Sequence, residues 1–481
     1  MRPYHRQQIL DLLQTIMDAQ DKGQYAVCQE GAEAVIDFIA SFGDDVGTQT
    51  IKLLEQYFEL LFKVNINEIK SRVLYKHLSK ILTAVNTEIK PTRLEVAFIS
   101  HKAAMSDSIE SIYLAAKQDP DCDAFFVPVP YYEHNKEGKP ETLKYEGPEH
   151  YNANIECINW EMYDIEARRP DVIFTFNAYD EQNKVSSIHP NYYNSRLRGL
   201  TECLCFLPYL IPLALNEGAN KFAVLPGCIY SHIAVVGNER IRNCFTNTYK
   251  PLFKEVYGKA EDKFIVLGSP KVDKVVNVKR GDFTVPQEWE KILKNKKVFL
   301  LISSIGAALG DGVNYLMKLA QILNLFKSRS DVALWWRPHP LLESTYHSML
   351  PNLLHTYTNI VNQYIKEGWG IYDNDSDLHR SIAMSDAYYG DWSSILTMYQ
   401  ATEKPILLAN TFLHPEMRSW ELGCRKENDE NKLVDYINSV VNENYVAPEN
   451  GLISDFVNKN GTAGKEIYTY AKQLSFGNIS K

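Results

Sequence analysis

The chain has 481 residues, of which 45% are hydrophobic, and this is enough for two or three domains with cores of their own. Its formal net charge of -9 argues against nonspecific binding to nucleic acid and against a strongly basic membrane-binding surface. The 8 cysteines form no CxxC pair and no zinc-type cluster, so we expect reduced thiols in a cytoplasmic protein and predict no metal site.

The first 90 residues have a helical pattern throughout. Apolar residues recur at helical spacing between Ile9 and Leu61, and glycines mark the turns. The pattern predicts an all-helical extension at 1–90, packed on the rest of the chain or used for self-association in a homo-oligomer. The start of the chain lacks the apolar core of a signal peptide, and the apolar run from Leu204 to Leu215 is too short to span a bilayer.

The hydrophobic period changes at Pro91. A strand at Leu94–Ile99, a helix from about Ser106 to Lys117 and a strand at Ala124–Val129 form a βαβ unit, which predicts a parallel sheet. Strands at 171–176 and 204–207 continue this sheet. Residues 91–260 are therefore expected to form one Rossmann-like domain.

Two histidines of this domain are candidates for handling a proton. His101 follows the first strand together with Lys102, at the sheet edge where α/β proteins bind ligands, although a solvated loop is the favoured explanation of both residues. His189 lies in the loop SSIHPNYY and is the second catalytic candidate of the whole chain.

A charged linker at 257–262 separates a second Rossmann-like domain, predicted at 261–481 and beginning with the strand Phe264–Leu267. The strand Lys297–Ile302 follows, and the glycines of the loop at 303–312 permit close approach of a ligand. That loop matches neither a dinucleotide fingerprint nor a Walker A loop, so it predicts no particular cofactor.

The stretch Asp331 to Pro340, DVALWWRPHP, is an apolar strand with polar residues at its carboxyl end. Arg337 has a forked guanidinium that suits a phosphate, and His339 suits proton transfer or donation to a developing negative charge. The prolines on both sides of His339 favour a fixed, extended presentation.

The stretch Ser385 to Pro405 joins a short buried strand to a helix through the polar turn GDWSS. Ser393 or Ser394 caps the helix, and the turn directs backbone N–H groups and two hydroxyls toward one point. Such an arrangement predicts a phosphate or pyrophosphate site, although a simple helix cap accounts for the serines as well.

The motifs RPHP, DLHRSIAMSDAYYGDWSS and EKPILL together resemble those of the CDP-glycerol glycerophosphotransferase family. These enzymes build teichoic-acid-like polymers of glycerol phosphate, and the likeness extends to the turn from Leu267 to Asp273. It implies an α/β fold of GT-B type with two facing Rossmann-like domains. The likeness does not cover the helical extension at 1–90, which the hydrophobic pattern predicts separately. It also implies a cytoplasmic transferase, peripheral at the membrane face, that moves glycerol phosphate or a similar polyol phosphate from a CDP-activated donor to a polymer or lipid-linked acceptor and releases CMP.

The resemblance also implies roles for individual residues. His339 would assist at the leaving phosphate, and the donor phosphates would be bound by a group of residues from the second domain: Arg337, Ser393, Ser394, Gly390, Gly268 and Ser269. Asp391 would orient His339 or a ribose hydroxyl.

This sequence departs from the family in the first domain, where Phe206 to Pro212 stands in place of a His-Gly-Thr motif whose histidine is regarded as the catalytic base. Either His189 or His101 replaces that base, or the acceptor chemistry differs, or the protein is not an active polymerase. The alternatives are therefore a GT-B glycosyltransferase that uses a nucleotide sugar and a catalytically silent GT-B-like subunit.

Overall fold

The computed structural model describes residues 1–211, 221–253, 256–375, 377–409, 425–426, 431–447 and 453–477. Over these ranges the chain forms a helical bundle followed by two six-stranded parallel sheets and one small antiparallel sheet. No helix within them is long and apolar enough to cross a bilayer.

The N-terminal extension is all-helical, as predicted, because each helix buries one apolar stripe against its neighbours. Arg2 attaches this bundle to the next domain, since its guanidinium lies 2.9 Å from both Glu95 and Asp171. The helices are α1 (Pro3–Asp21), α2 (Tyr25–Ala40), α3 (Thr48–Asn65) and α4 (Arg72–Glu88).

The first Rossmann-like domain has a parallel sheet in the order β2-β1-β5-β7-β8-β9, with an antiparallel sheet β4-β3-β6 beside it. Its strands are short and apolar because helices cover both faces. The elements in chain order are β1 (Leu94–Ser100), α5 (Glu110–Lys117), β2 (Cys122–Pro128), β3 (Tyr131–His134), β4 (Pro140–Lys144), α6 (Ile165–Arg168), β5 (Val172–Thr175), β6 (Ser186–Ile188), α7 (Asn194–Leu197), β7 (Cys203–Phe206), α8 (Pro226–Tyr230), β8 (Ile233–Val236), α9 (Glu239–Phe253), α10 (Ala260–Lys263), β9 (Phe264–Val266) and α11 (Pro270–Asn277).

The strand β9 lies in a different sheet from the one predicted. It was expected to open the second domain, but Phe264 pairs with Ala234, and β9 forms the edge of the first sheet. A three-residue apolar strand has the same pattern in either sheet, and its pairing partner is not encoded locally. The second sheet begins at Lys297 instead.

The second sheet is also parallel, in the order β12-β11-β10-β13-β14-β15. The loop predicted at 303–312 is mostly helical, because Ser304 caps α13 by accepting from the Ala307 N–H, and only Gly312 leaves the helical conformation. The elements are α12 (Gln287–Leu293), β10 (Lys297–Ser303), α13 (Ile305–Lys327), β11 (Val332–Pro338), α14 (Leu342–Met349), α15 (Pro351–Glu367), β12 (Ile371–Tyr372), α16 (Leu378–Met384), β13 (Ala387–Gly390), α17 (Ser394–Gln400), β14 (Ile406–Leu408), β15 (Arg425–Lys426) and α18 (Asn431–Val441).

The last described helix, α19 (Ala463–Ser475), returns to the first domain and packs against α5. Ile467 and Ala471 are buried there, and Tyr468 donates a hydrogen bond of 2.6 Å to Asp119. Asp273 accepts from the backbone N–H groups of Ala463 and Gly464 at 3.0 and 2.6 Å. The end of the chain therefore completes the first domain rather than the second.

Candidate functional site

The two motifs of the second domain lie on one edge of its sheet, separated by a single strand. In β10, Ser303 pairs with Pro338 of β11 and Ile302 pairs with Gly390 of β13. Since neighbouring strands are about 4.8 Å apart, the ends of β11 and β13 lie roughly 10 Å from each other. The structure thus brings the RPHP segment and the GDWSS turn to the same carboxyl edge.

Gly390 and Asp391 fix the turn after β13. A Cβ on Gly390 would overlap the Ile302 carbonyl, so only glycine allows the two strands to approach this closely. The buried Asp391 carboxylate accepts from the Ser304 N–H at 2.8 Å and from the Tyr315 hydroxyl at 3.1 Å. Asp391 therefore holds the start of α13, whereas the sequence suggested His339 or a ribose as its partner.

His339 is exposed at the end of β11. Its Nδ1 accepts from the Leu341 N–H at 3.1 Å, so the proton of the neutral ring resides on Nε2. Partial burial lowers the pKa of His339, which favours this neutral form near pH 7. Within the described part of the chain Nε2 makes no hydrogen bond, and it is therefore available as a donor to a ligand.

Ser393 and Ser394 begin α17. Ser393 has an extended backbone, and its Oγ is buried without a hydrogen-bond partner among the described residues. Ser394 is exposed. A buried hydroxyl without a partner is costly, so the Ser393 Oγ marks a place where a ligand or a water supplies the missing hydrogen bond.

Arg337 has protein partners for its guanidinium. The side chain is buried, Nη1 lies 2.8 Å from Asp373, and Nη2 donates to the Asp375 carbonyl. These contacts fix the loop at 373–375 that follows β12. In this conformation Arg337 shapes the loop. A direct contact with phosphate, as the sequence suggested, would require the guanidinium to break its ion pair with Asp373.

A cavity of about 380 Å³ lies between the two domains, next to the residues that follow this loop in the sequence. The first domain contributes the turn between β1 and α5, the segment at 146–152 and Lys274, and the second contributes the start of α16. The lining residues include Asp107, Glu110, Glu146, Asn152, Lys274, Phe283, Asp377 and His379.

An ion pair crosses this cavity from one domain to the other. His379 Nε2 lies 3.3 Å from Asp107 Oδ2, and Lys271 Nζ lies 2.5 Å from the other oxygen of that carboxylate. Burial alone raises the pKa of Asp107, but the charges of Lys271 and His379 outweigh it and lower the pKa to about 2. Burial alone lowers the pKa of His379, but the nearby carboxylates of Asp107 and Asp377 raise it overall.

Gly268 and Ser269 follow β9 in the first domain. Gly268 has φ +94°, and a Cβ there would come within 2.6 Å of the Val457 carbonyl, so this glycine allows the C-terminal segment to cross. Ser269 is half-buried and precedes α11, the helix that carries Lys271 toward the cavity. Gly268 itself faces the crossing segment.

The two candidate histidines of the first domain, His101 and His189, are not among the residues that line the cavity. His189 stacks against Tyr132 at 5.9 Å, accepts from the Asn191 N–H, and does not line the cavity. The His101 ring lies 5.1 Å from Phe176, and burial lowers its pKa to about 3, so it is neutral. Its Nδ1 has no hydrogen-bond partner among the described residues.

The chain was compared with known proteins. No protein family model matches the sequence, and no curated protein matches it significantly. Among solved structures, a UDP-N-acetylglucosamine 2-epimerase from Listeria monocytogenes is 13% identical with a TM-score of 0.50, and covers 81% of this chain and 98% of its own. A second structure of a UDP-N-acetylglucosamine 2-epimerase gives the same values. At this identity the matches establish the fold.

The fold is GT-B. This confirms the predicted pair of facing Rossmann-like domains. The structure of the wall teichoic acid polymerase TagF, as its H548A variant, is also similar, with a TM-score of 0.48, 12% identity and coverage of 90% of this chain and 99% of that one. Teichoic acid polymerase, the kind of protein that the motifs resemble, is thus among the structural neighbours.

The cross-domain pair was missed by the sequence analysis. His379 stands inside the quoted segment DLHRS, and Asp107 was interpreted only as part of a helix start. A usable signal was the position of both residues in segments that follow a strand, β1 for Asp107 and β12 for His379, although β12 was not predicted. Their pairing depends on how the domains face each other, which no local pattern contains.

The cross-domain pair predicts a pH-dependent stability. Because the pKa of His379 is raised in the folded protein, its contribution is complete below the unfolded value of about 6.5 and is lost as the pH rises through the folded value. We expect the difference in unfolding free energy between the wild type and His379→Gln to shrink between pH 6 and pH 9. Urea unfolding across this range measures it, and a difference that grows with pH would contradict the assignment.

Proposed function

We propose that this chain is a transferase that moves glycerol phosphate, or a similar polyol phosphate, from a CDP-activated donor to a hydroxyl group and releases CMP. The observation that carries the proposal is the pair of unused polar groups at one sheet edge, His339 Nε2 and Ser393 Oγ. They lie on the motifs that resemble the glycerophosphotransferase family. Ligands of open α/β sheets bind at this edge.

In the proposed reaction, the acceptor oxygen attacks the phosphorus on the polyol side of the donor, and the bond from that phosphorus to the oxygen of CMP breaks. The hydroxyls of Ser393 and Ser394 and the backbone after Gly390 donate to the pyrophosphate, which withdraws charge from the reacting phosphorus. His339 donates its Nε2 proton to the departing phosphate. The acceptor proton leaves to a base of the first domain, for which His189 is the candidate, because burial lowers the pKa of His101 to about 3 and makes that ring a weak base.

In this proposal the other predicted residues hold the backbone segments of the donor site in place. Arg337 holds the loop at 373–375 that leads into the interdomain cavity. Asp391 fixes the start of α13, and Gly390 permits the close strand approach that positions the serine turn. Arg337 and Asp391 thus preorganise the donor site rather than touch the transferred group.

A direct test is single-turnover release of CMP from CDP-glycerol. We expect His339→Ala to leave CMP affinity within a few fold of the wild type while lowering turnover by roughly a hundredfold, because the missing donor acts as charge develops. His347→Ala is the matched control, since His347 is also exposed and lies in the following helix. Unchanged turnover in His339→Ala would remove this residue from the mechanism.

The alternatives give different results in the same assay. Release of UDP from nucleotide sugars, without release of CMP from CDP-alcohols, would identify a glycosyltransferase and reject the proposal. A silent subunit would show no thermal stabilisation by CMP, CDP, UMP or UDP, because a ligand that binds only the folded state must raise its stability.

A further inference from the structure

The cavity between the domains has an unusual balance of charge for a protein proposed to handle phosphates. Four carboxylates line it, against one lysine and two histidines. The lysine, Lys274, is already paired with Glu110 at 2.7 Å. A phosphate entering this cavity would meet net negative charge, so the cavity suits an uncharged or cationic group instead.

The carboxylates are held rigidly and keep unused acceptor capacity. Glu110 accepts from Lys274 with one oxygen and from the Asn152 amide at 3.0 Å with the other. Glu146 accepts from the Ala103 N–H at 2.7 Å and from the Tyr131 hydroxyl at 3.1 Å. A carboxylate has about four acceptor sites, so each can still receive hydroxyl donors.

A second observation points to the kind of group that fits. Asp107 Oδ2 and His379 Nε2 are both buried, both belong to residues lining the cavity, and neither makes a hydrogen bond among the described residues. They lie at ion-pair distance, 3.3 Å, but without the geometry of a hydrogen bond. Asp107 requires a donor and His379 an acceptor. A hydroxyl group is both.

We propose that this cavity is a binding site for an uncharged polyol or sugar, with one hydroxyl that contacts both Asp107 and His379 from the cavity side and with others on Glu110 and Glu146. The ring of Phe283 offers an apolar wall for the carbon chain of such a ligand. The volume of about 380 Å³ accommodates a sugar ring or a few polyol carbons. This inference rests on the proposed function, in which the site takes either the polyol end of the donor or the hydroxylated acceptor.

Asp107 positions the ligand in this site and does not deprotonate it. Its pKa of about 2 makes the carboxylate a weak base. Lys271, on the opposite side of the carboxylate, keeps Asp107 ionised and therefore able to accept from a hydroxyl.

The test measures binding of ribitol and of methyl β-D-glucopyranoside to the full chain by saturation-transfer NMR and by thermal shift, with glycerol 3-phosphate as the anionic comparison. We expect the neutral ligands to bind more tightly than the phosphate. Ala104→Trp, which fills the cavity from an exposed position, should abolish binding. Asp107→Asn should weaken it by roughly tenfold or more.

Two further variants distinguish a loss of binding from a loss of folding. Asn152 is exposed and donates to Glu110, so Asn152→Ala should fold normally and still weaken binding of the polyol. Asp123→Asn changes a partly exposed carboxylate paired with Arg93, outside the cavity, and should leave binding unchanged. Equal binding in the wild type, Ala104→Trp and Asn152→Ala would overturn the proposal, as would preferential binding of glycerol 3-phosphate.

Competition identifies the source of the ligand. If CDP-glycerol displaces ribitol but CMP does not, the cavity holds the polyol end of the donor, and if neither displaces it, the cavity holds the acceptor. A failure of the proposed transferase function can be distinguished from a failure of the proposed polyol site. Polyol binding without nucleotide binding would reject only the transferase, whereas CMP release with no cavity-dependent polyol binding would reject only this site.

Discussion

Arg337→Ala should lower the free energy of unfolding by about 3 kcal/mol, because it leaves the buried Asp373 carboxylate without its closest cationic partner. Breaking a buried ion pair by removing one member costs roughly 3 to 5 kcal/mol. We expect the lower end of this range, since Arg380 lies 3.4 Å from the other oxygen of Asp373 and Trp335 also donates to the carboxylate. Equilibrium unfolding in urea measures the change.

The control for this experiment is Arg93→Ala. Arg93 pairs with Asp123 at 2.5 Å, but both side chains are substantially exposed, so its loss should cost about 1 kcal/mol or less. Arg337→Lys keeps the charge without the forked donors and should fall between the wild type and Arg337→Ala. A variant Arg337→Ala as stable as Arg93→Ala would mean that the pair with Asp373 does not hold the loop.

Asp273→Ala should release α19 from the first domain. The Asp273 carboxylate is buried and accepts from the N–H groups of Ala463 and Gly464 and from the Ser111 hydroxyl, so its removal leaves three donors without a partner. Each buried orphan costs about 1 to 3 kcal/mol, and we expect a total loss of roughly 3 kcal/mol. Hydrogen exchange should be faster in residues 463–475 of the variant. Urea unfolding measures the loss of stability.

Asp273→Asn and Asp45→Ala are the comparisons for that experiment. An amide keeps one acceptor oxygen, so Asp273→Asn should lose less stability than Asp273→Ala. Asp45 is exposed near the end of α2, and its replacement should leave exchange in α19 unaltered. Unchanged protection of residues 463–475 in Asp273→Ala would show that apolar contacts alone hold this helix.

Local patterns were sufficient for much of this fold. The run from Val332 to Trp336 predicted a buried strand, and β11 is buried along its whole length. The polar turn after Tyr389 predicted a strand followed by a helix, and β13 and α17 stand there. Period and turn chemistry are properties of adjacent residues, and the sequence displays them directly.

The long-range contacts of individual residues were harder to predict from the sequence. Arg337 looked free to bind a phosphate, because nothing near it in the sequence indicates that Asp373 of a later loop reaches it. The strand at Phe264 was assigned to the wrong sheet for the same reason. The pair of Asp107 with His379 depends on how two domains face each other. Long-range pairing follows from topology, which a single sequence does not display.

The return of α19 to the first domain has a consequence for how this chain is made. Asp119 binds Tyr468 and Lys472, which the ribosome adds only after the whole second sheet has been synthesised. Until then α5 carries an uncovered apolar surface on the nascent chain, the kind of surface that chaperones bind. The first Rossmann-like domain is therefore completed only after the second sheet has been synthesised.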